Sequence, residues 1–312
     1  MSDKRSLLPK SPERITEQEN PFSVALDAKS TVEILRIINR EDRKVALAVA
    51  RVIPQIARAV DLAVAALSRG GRLIYLGTGT SGRLGVLDAS ECLPTFGSNQ
   101  VLGIVAGGAS ALLSANEGSE DDPRQAVQDL RKLRLSRRDV VVGISASGRT
   151  PYTLGGIRCA RQLRAGTIGL TSNPRGPIRQ LVDVAIVPVV GPEVIAGSTR
   201  MKAGTAAKLV LNMLSTATMV RLGRVLSNWM VHVQLTNEKL RQRGLTILMK
   251  ATGARRHVAS QALHESRGEL PVAMLMLWKQ VSKRQARELL RGSANPARVL
   301  REAWASQLRA RT

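Results

Sequence analysis

Gly77-Thr78-Gly79-Thr80-Ser81-Gly82-Arg83 and Ser145-Ala146-Ser147-Gly148-Arg149-Thr150 gather glycines and hydroxyl side chains at two points of this chain. Hydroxyls donate to phosphate and sugar oxygens, and glycines let backbone N–H groups approach such a ligand closely. Neither segment has the Gly-Lys-Ser/Thr ending of a nucleotide P-loop, so phosphoryl transfer from a nucleoside triphosphate is not indicated. The ligand they suit is phosphorylated and polyhydroxylated, with Thr80, Ser81, Gly82, Ser145, Ser147 and Thr150 as candidate contacts. The first segment also fits the Gly-x-Gly-x-x-Gly of a dinucleotide site. The next apolar run, however, ends Val105-Ala106-Gly107-Gly108-Ala109-Ser110, with no acid to hold a ribose. Two ordinary strand-to-helix turns are the plain alternative.

Carboxylates stand nearby in sequence. Asp88 and Glu91 are three apart in the segment that follows the first loop, which puts them on a shared helix face. Glu91 lies just before Cys92-Leu93-Pro94, near a helix end where the dipole disfavours negative charge, and is a candidate for function. The knot Glu117-Gly118-Ser119-Glu120-Asp121-Asp122 reads on its own as the cap of the helix after it. Farther on, Gly197-Ser198-Thr199-Arg200-Met201-Lys202 is a polar loop feeding a long helix. Ser198 is either a ligand contact or an N-cap, and Lys202 and Lys208 are either ligand contacts or solvated charges. Asn237-Glu238 either reaches a site or caps a turn.

Such loops need strands to hold them. Short β-branched runs at 72–76, 101–105, 140–144, 167–171 and 184–190 alternate with helical patterns near 81–90, 121–133, 150–164 and 199–221. That alternation predicts parallel strands joined by crossover helices, an α/β fold with a parallel sheet flanked by helices. Before it, helical patterning runs from Thr31 to Leu67, with Pro54 expected to kink or divide it. After Gly223 the strands stop, and helical patterns at 226–242, 255–265, 270–280, 283–291 and 296–308 predict a small all-helical C-terminal module. The expected organisation is a flexible N-terminal leader over 1–20, the sheet domain with its N-terminal helices over 21–238, and the helical module over 239–312.

Composition narrows the classes. Two cysteines, Cys92 and Cys159, form neither a disulfide framework nor a zinc motif, and three histidines are too scattered for a metal centre. The polar, charged N-terminus has no signal-peptide core, and no apolar stretch reaches the roughly 18–20 residues a membrane span needs. A reducing, cytoplasmic compartment is expected. The formal charge is +23, and residues 239–312 hold sixteen Lys/Arg against four Asp/Glu. Nucleic-acid binding is not the primary expectation, because aromatics for base stacking make up only 2% of the chain. Such a field also draws in small anions.

The run Gly71-Arg72-Leu73-Ile74-Tyr75-Leu76-Gly77-Thr78-Gly79-Thr80-Ser81-Gly82-Arg83-Leu84-Gly85, with Leu87-Asp88-Ala89-Ser90-Glu91-Cys92, closely resembles the N-acetylmuramic acid 6-phosphate etherases. So do Gly143 to Tyr152, Gly197 to Ala206, Thr31 to Leu35 and Thr236-Asn237-Glu238-Lys239-Leu240, and the resemblance runs from about residue 15 to 265. It implies the sugar isomerase (SIS) fold, shared with the glucokinase regulatory protein. It implies two catalytic carboxylates, Glu91 and Glu120, the latter against the simple capping view of its knot. It further implies a phosphorylated amino sugar as substrate, no metal or organic cofactor, and a homodimer in which each subunit completes the other's site. The activity implied is cleavage of a D-lactyl ether, by elimination and hydration. Ser198 and Lys202 join the expected contacts. Ala109 and His232 stand where the family often has an acid. A sugar-phosphate-sensing SIS regulator is the non-enzymatic alternative, and a sugar-phosphate isomerase the enzymatic one; the regulator needs neither carboxylate.

Overall fold

The computed structural model describes residues 15–114, 117–292 and 296–309. Ser30 opens α1 (Thr31–Ala50) with a reciprocal cap: its hydroxyl accepts from the Glu33 N–H, and the Glu33 carboxylate accepts from the Ser30 N–H. Pro54 begins a new helix, α2 (Ile53–Leu67), because proline needs no N–H partner in a first turn. Then strands and helices alternate: β1 (Leu73–Gly77), α3 (Gly79–Phe96), β2 (Val101–Val105), the single turn α4 (Ser110–Leu113), α5 (Pro123–Lys132), β3 (Val140–Ile144), α6 (Pro151–Gln162), β4 (Gly166–Leu170), β5 (Val184–Ile186) and α7 (Lys202–Arg221).

The strands form one sheet, ordered β2-β1-β3-β4-β5 and parallel throughout. In register, Gly77 pairs with Val105 on one side and Ile144 on the other, and Ile144 with Leu170. The carboxyl ends therefore lie level, and the loops leaving them share one edge. Alternate side chains go to opposite faces, both buried. Leu73, Tyr75, Val142, Ile144 and Ile168 pack beneath α1, α2, α3 and α7, while Ile74, Leu76 and Val141 pack beneath α5 and α6.

A separate core draws on α8 (Glu238–Thr252), α9 (Arg256–Glu265), α10 (Leu270–Lys279), α11 (Lys283–Arg291) and α12 (Pro296–Arg309). Leu226, Val231 and Val233 also belong to it, so this core begins upstream of residue 239. The helix expected over 226–242 is replaced by irregular chain up to Asn237, which caps α8 by accepting from the Leu240 N–H at 2.9 Å. Gly223 and Ser227 take positive φ values of 77° and 52°, which break a right-handed helix there.

Of the expected leader, residues 1–14 lie outside the described residues, and 15–20 are anchored at two points. Thr16 and Asn20 are buried, and the Asn20 amide donates to Glu41 Oε2 and to the Pro192 carbonyl, both at 3.0 Å. Among the described residues no helix is long and apolar enough to cross a membrane.

Candidate active site

β1 runs into α3 through Thr78, extended at φ −116°, and Gly79 at φ +47°. A Cβ on Gly82 would lie 2.5 Å from the Gly77 carbonyl oxygen, so only glycine lets the first turn of α3 sit on the end of the strand. Thr78 occupies the N-cap position, and its carbonyl accepts from the Gly82 N–H at 3.0 Å, yet its hydroxyl makes no hydrogen bond to the helix. Its hydroxyl donates to Glu120 Oε1, and a Cβ on Gly79 would stand 3.9 Å from that same oxygen. Glu120 therefore stands over the first loop, while the amides that open α3 have no side-chain cap.

Glu120 ends a 3-10 turn, Glu117–Glu120. Two residues on, Asp122 caps α5, accepting from the Arg124 and Gln125 N–H groups at 2.8 and 3.2 Å. The acidic knot thus divides, with Asp122 as the cap and Glu120 at the loop. Arg83 holds the segment after β2 to α3 by donating to the Ala111 and Ser114 carbonyls, both at 2.9 Å.

The second loop is braced from within. The hydroxyls of Ser145 and Thr150 are 2.9 Å apart, the Gly148 N–H donates to Ser145 Oγ at 3.0 Å, and Gly148 sits at φ +69°. Ser147 Oγ accepts from the Arg149 N–H at 3.2 Å. A third loop, Thr171-Ser172-Asn173 at the end of β4, laces onto it. Thr171 Oγ1 donates to the Ala146 carbonyl at 3.0 Å, and Asn173 Nδ2 to the Ser147 carbonyl at 2.9 Å. Sequence reasoning missed this loop. Its only signal is a strand ending in Thr-Ser-Asn, which any turn shares.

Ser81, Ala146, Thr171, Ser172, Thr199 and Gly204 line a space of about 10 Å³, too small for a sugar. Ser198 is partly exposed beside Thr199. It does not cap α7; Glu193 does, accepting from the Lys202 and Ala203 N–H groups at 3.0 and 2.9 Å. Burial pushes the Glu193 carboxyl above its ordinary pKa, although both amides and Lys202 pull the other way. Lys202 is 1% exposed, with its Nζ 2.7 Å from Glu41 Oε2.

Glu91 is exposed on α3. Asp88, expected on the same face, turns inward and accepts from the Tyr75 hydroxyl at 2.9 Å, from Asn212 Nδ2 at 2.7 Å and from Ser215 Oγ at 3.1 Å. Twelve residues separate Gly79 from Glu91, about 18 Å of helix. A single chain thus gathers Glu120 and the hydroxyl loops at one place and leaves Glu91 apart, flanked by the exposed Leu87 and Leu93.

Burial, then the neighbouring Asp88 charge, push the Cys92 thiol up to about 12, so it offers no thiolate at neutral pH. No cluster of three or more His, Cys, Asp or Glu that could hold a metal occurs among the described residues. A roomier cavity, about 930 Å³, lies in the helical module between His232, Glu238, Arg241, His264 and Arg267, and includes none of the loop hydroxyls.

Family models match the chain in two places: glucokinase regulatory protein N-terminal SIS domain over residues 55–161, and SIS domain over residues 123–217. A phosphoheptose isomerase from Francisella tularensis superposes with a TM-score of 0.51 at 19% identity, over 62% of this chain and all of that one, a likeness of fold alone. The N-acetylmuramic acid 6-phosphate etherase of Edwardsiella ictaluri (strain 93-146) is 54% identical over 288 residues, 91% of this chain and 96% of that protein. That of Yersinia pestis (strain Pestoides F) is 56% identical over 279 residues, 89% and 95% of the two chains. Likeness of this depth along nearly the whole length shows that the chain belongs to the N-acetylmuramic acid 6-phosphate etherase family.

Proposed function

We propose that this protein cleaves the D-lactyl ether at C3 of N-acetylmuramic acid 6-phosphate with water, giving N-acetylglucosamine 6-phosphate and D-lactate. This is a carbon–oxygen lyase reaction of cell-wall amino sugar recycling. The observation that carries the reading is the etherase likeness over nine-tenths of the chain. The hydroxyl loops supply the phosphosugar chemistry it requires.

An unactivated ether resists displacement. Opening the sugar ring exposes an aldehyde at C1, which acidifies the proton on C2. In our assignment Glu120 takes that proton, the C2–C3 double bond forms as the C3–O bond breaks, and Glu91 protonates the departing lactate oxygen. Glu91, now a carboxylate, then accepts a proton from the water that adds at C3, and Glu120, its proton exchanged with solvent, delivers one to C2. Both carboxyls end as they began, with one water consumed. Thr80, Ser81, Gly82, Ser145, Ser147, Thr150 and Ser198 receive the phosphate and sugar hydroxyls, aided by the free amides at the start of α3.

The separation of Glu91 from Glu120 within one chain supports a homodimer whose sites are shared between subunits. The two free, buried cysteines fit a reducing, cytoplasmic setting. The test is lactate release from N-acetylmuramic acid 6-phosphate by the purified protein, run in deuterated water. Lactate is expected with deuterium at C2 of the product, and Glu91→Gln and Glu120→Gln are expected to abolish it. No lactate would end the assignment of activity, and lactate without deuterium at C2 would replace elimination by direct displacement.

A further inference from the structure

Three ionisable side chains, Glu41, Glu193 and Lys202, are each 1% exposed and meet behind the loop that enters α7. Lys202 Nζ donates to Glu41 Oε2 at 2.7 Å, an oxygen that also accepts from Asn20 Nδ2 at 3.0 Å. Glu193 binds the backbone on the other side, at the Lys202 and Ala203 N–H groups. The same loop is pinned from outside by residues near the N-terminus: Ser23 Oγ donates to the Val194 carbonyl at 2.7 Å, and the Gly197 N–H to the Thr16 carbonyl at 3.1 Å.

A buried ion pair is an expensive way to hold a fold together, since apolar side chains of equal volume usually do as well or better. What charges add is a fixed geometry, and here that geometry faces the candidate site. Thr199 shares a cavity wall with Ser81, and a Cβ on Gly204 would stand 3.4 Å from Thr80 Cγ2. The loop and the first turn of α7 thus abut the first hydroxyl loop.

Building on the phosphosugar reading above, we propose that Glu193 and the Lys202–Glu41 pair are positioning residues of that site. They set residues 195–201 and the start of α7 against Thr80 and Ser81. Lys202 acts through the loop and does not touch the substrate's phosphate.

The test is a double variant, Lys202→Met with Glu41→Gln, which removes both charges of the pair and leaves Glu193 its two backbone N–H donors. It is expected to melt within about 5 °C of the parent. Its KM for N-acetylmuramic acid 6-phosphate should rise about tenfold or more, with kcat changed by less than about threefold. The matched control is Arg72→Met with Asp139→Asn, an ion pair of 2.9 Å at the opposite ends of the strands, whose KM should not move. A folded double variant with the parent's KM, or a control with an equal rise, overturns the proposal. Hydrogen exchange on the unaltered protein gives a reading independent of folding: N-acetylglucosamine 6-phosphate should slow exchange at the amides of 198–204, and no slowing overturns the proposal as well. Parent lactate release in the same series tests the activity by itself. A parent that binds the phosphosugar without releasing lactate loses the reaction and keeps the positioning role.

Discussion

A threonine at a helix N-cap ordinarily turns its hydroxyl toward the helix's own N–H groups, whereas Thr78 turns it to Glu120. Two consequences follow at this residue. The first amides of α3 stay open to an anion, and a carboxylate on an exposed turn gains a fixed direction. Thr78→Val keeps the shape and removes the donor. A hydrogen bond to a charged group is worth on the order of 1.5 kcal/mol, so kcat should fall about tenfold. KM should move by less than about threefold, and Thr78→Ser should restore most of the rate. Steady-state kinetics of the three proteins check this, and an unchanged kcat in Thr78→Val would remove Glu120 from the proton transfer at C2. Asp88 shows the contrary case. Its spacing from Glu91 placed the two on a shared helix face, yet its three donors commit it to joining α3 with β1 and α7.

At the scale of elements, α1 is tied to the loop before α7 by Glu41. Burial alone would raise the Glu41 carboxyl, but donors from Lys202, Lys44 and Asn20 outweigh it and hold the group down at about 2, against an ordinary 4.5. A depressed carboxylate stabilises the fold above its unfolded pKa and ceases to as pH falls toward the folded one. Stability should therefore drop by about 2–3 kcal/mol between pH 4.5 and 2 through this group. Chemical denaturation at several pH values checks it: the double variant lacking both charges should lose less over that window, and an equal loss would remove Glu41 as the cause. This tie also marks where sequence reading stops. Strands and the first two loops were legible because their signals are local: β-branched runs of five, then glycine with hydroxyls. Glu193 caps a helix from nine residues upstream, and Glu41 meets Lys202 across 161 residues, separations at which no local pattern survives. The segment 226–237 misled for a related reason. Its apolar residues face the helical core from irregular chain, and Leu226, Met230 and Val233 mimic the i, i+4, i+7 spacing of a helix.

Over the whole molecule, the two carboxylates implied by the family lie on different parts of one chain: Glu120 over the first loop, Glu91 some three turns down α3 on an exposed face with Leu87. An exposed leucine beside an unshared acid is what a two-fold contact would cover. In a two-fold dimer, each site would take Glu120 and the loops from one subunit and Glu91 from the other. That arrangement makes a prediction no single-chain site can share. Glu91→Gln and Glu120→Gln homodimers each lack one group in both sites and should be inactive. Co-expressed under two different tags and isolated as the mixed dimer, they should regain one intact site of two, and so about half the activity of the parent dimer. The other site then lacks both carboxylates. If both groups served from one chain, the mixed dimer would hold one defect in each site and stay as inactive as its parents. Lactate release by the doubly tagged species distinguishes the two outcomes, and zero recovery would return the search for Glu91's partner to a single subunit.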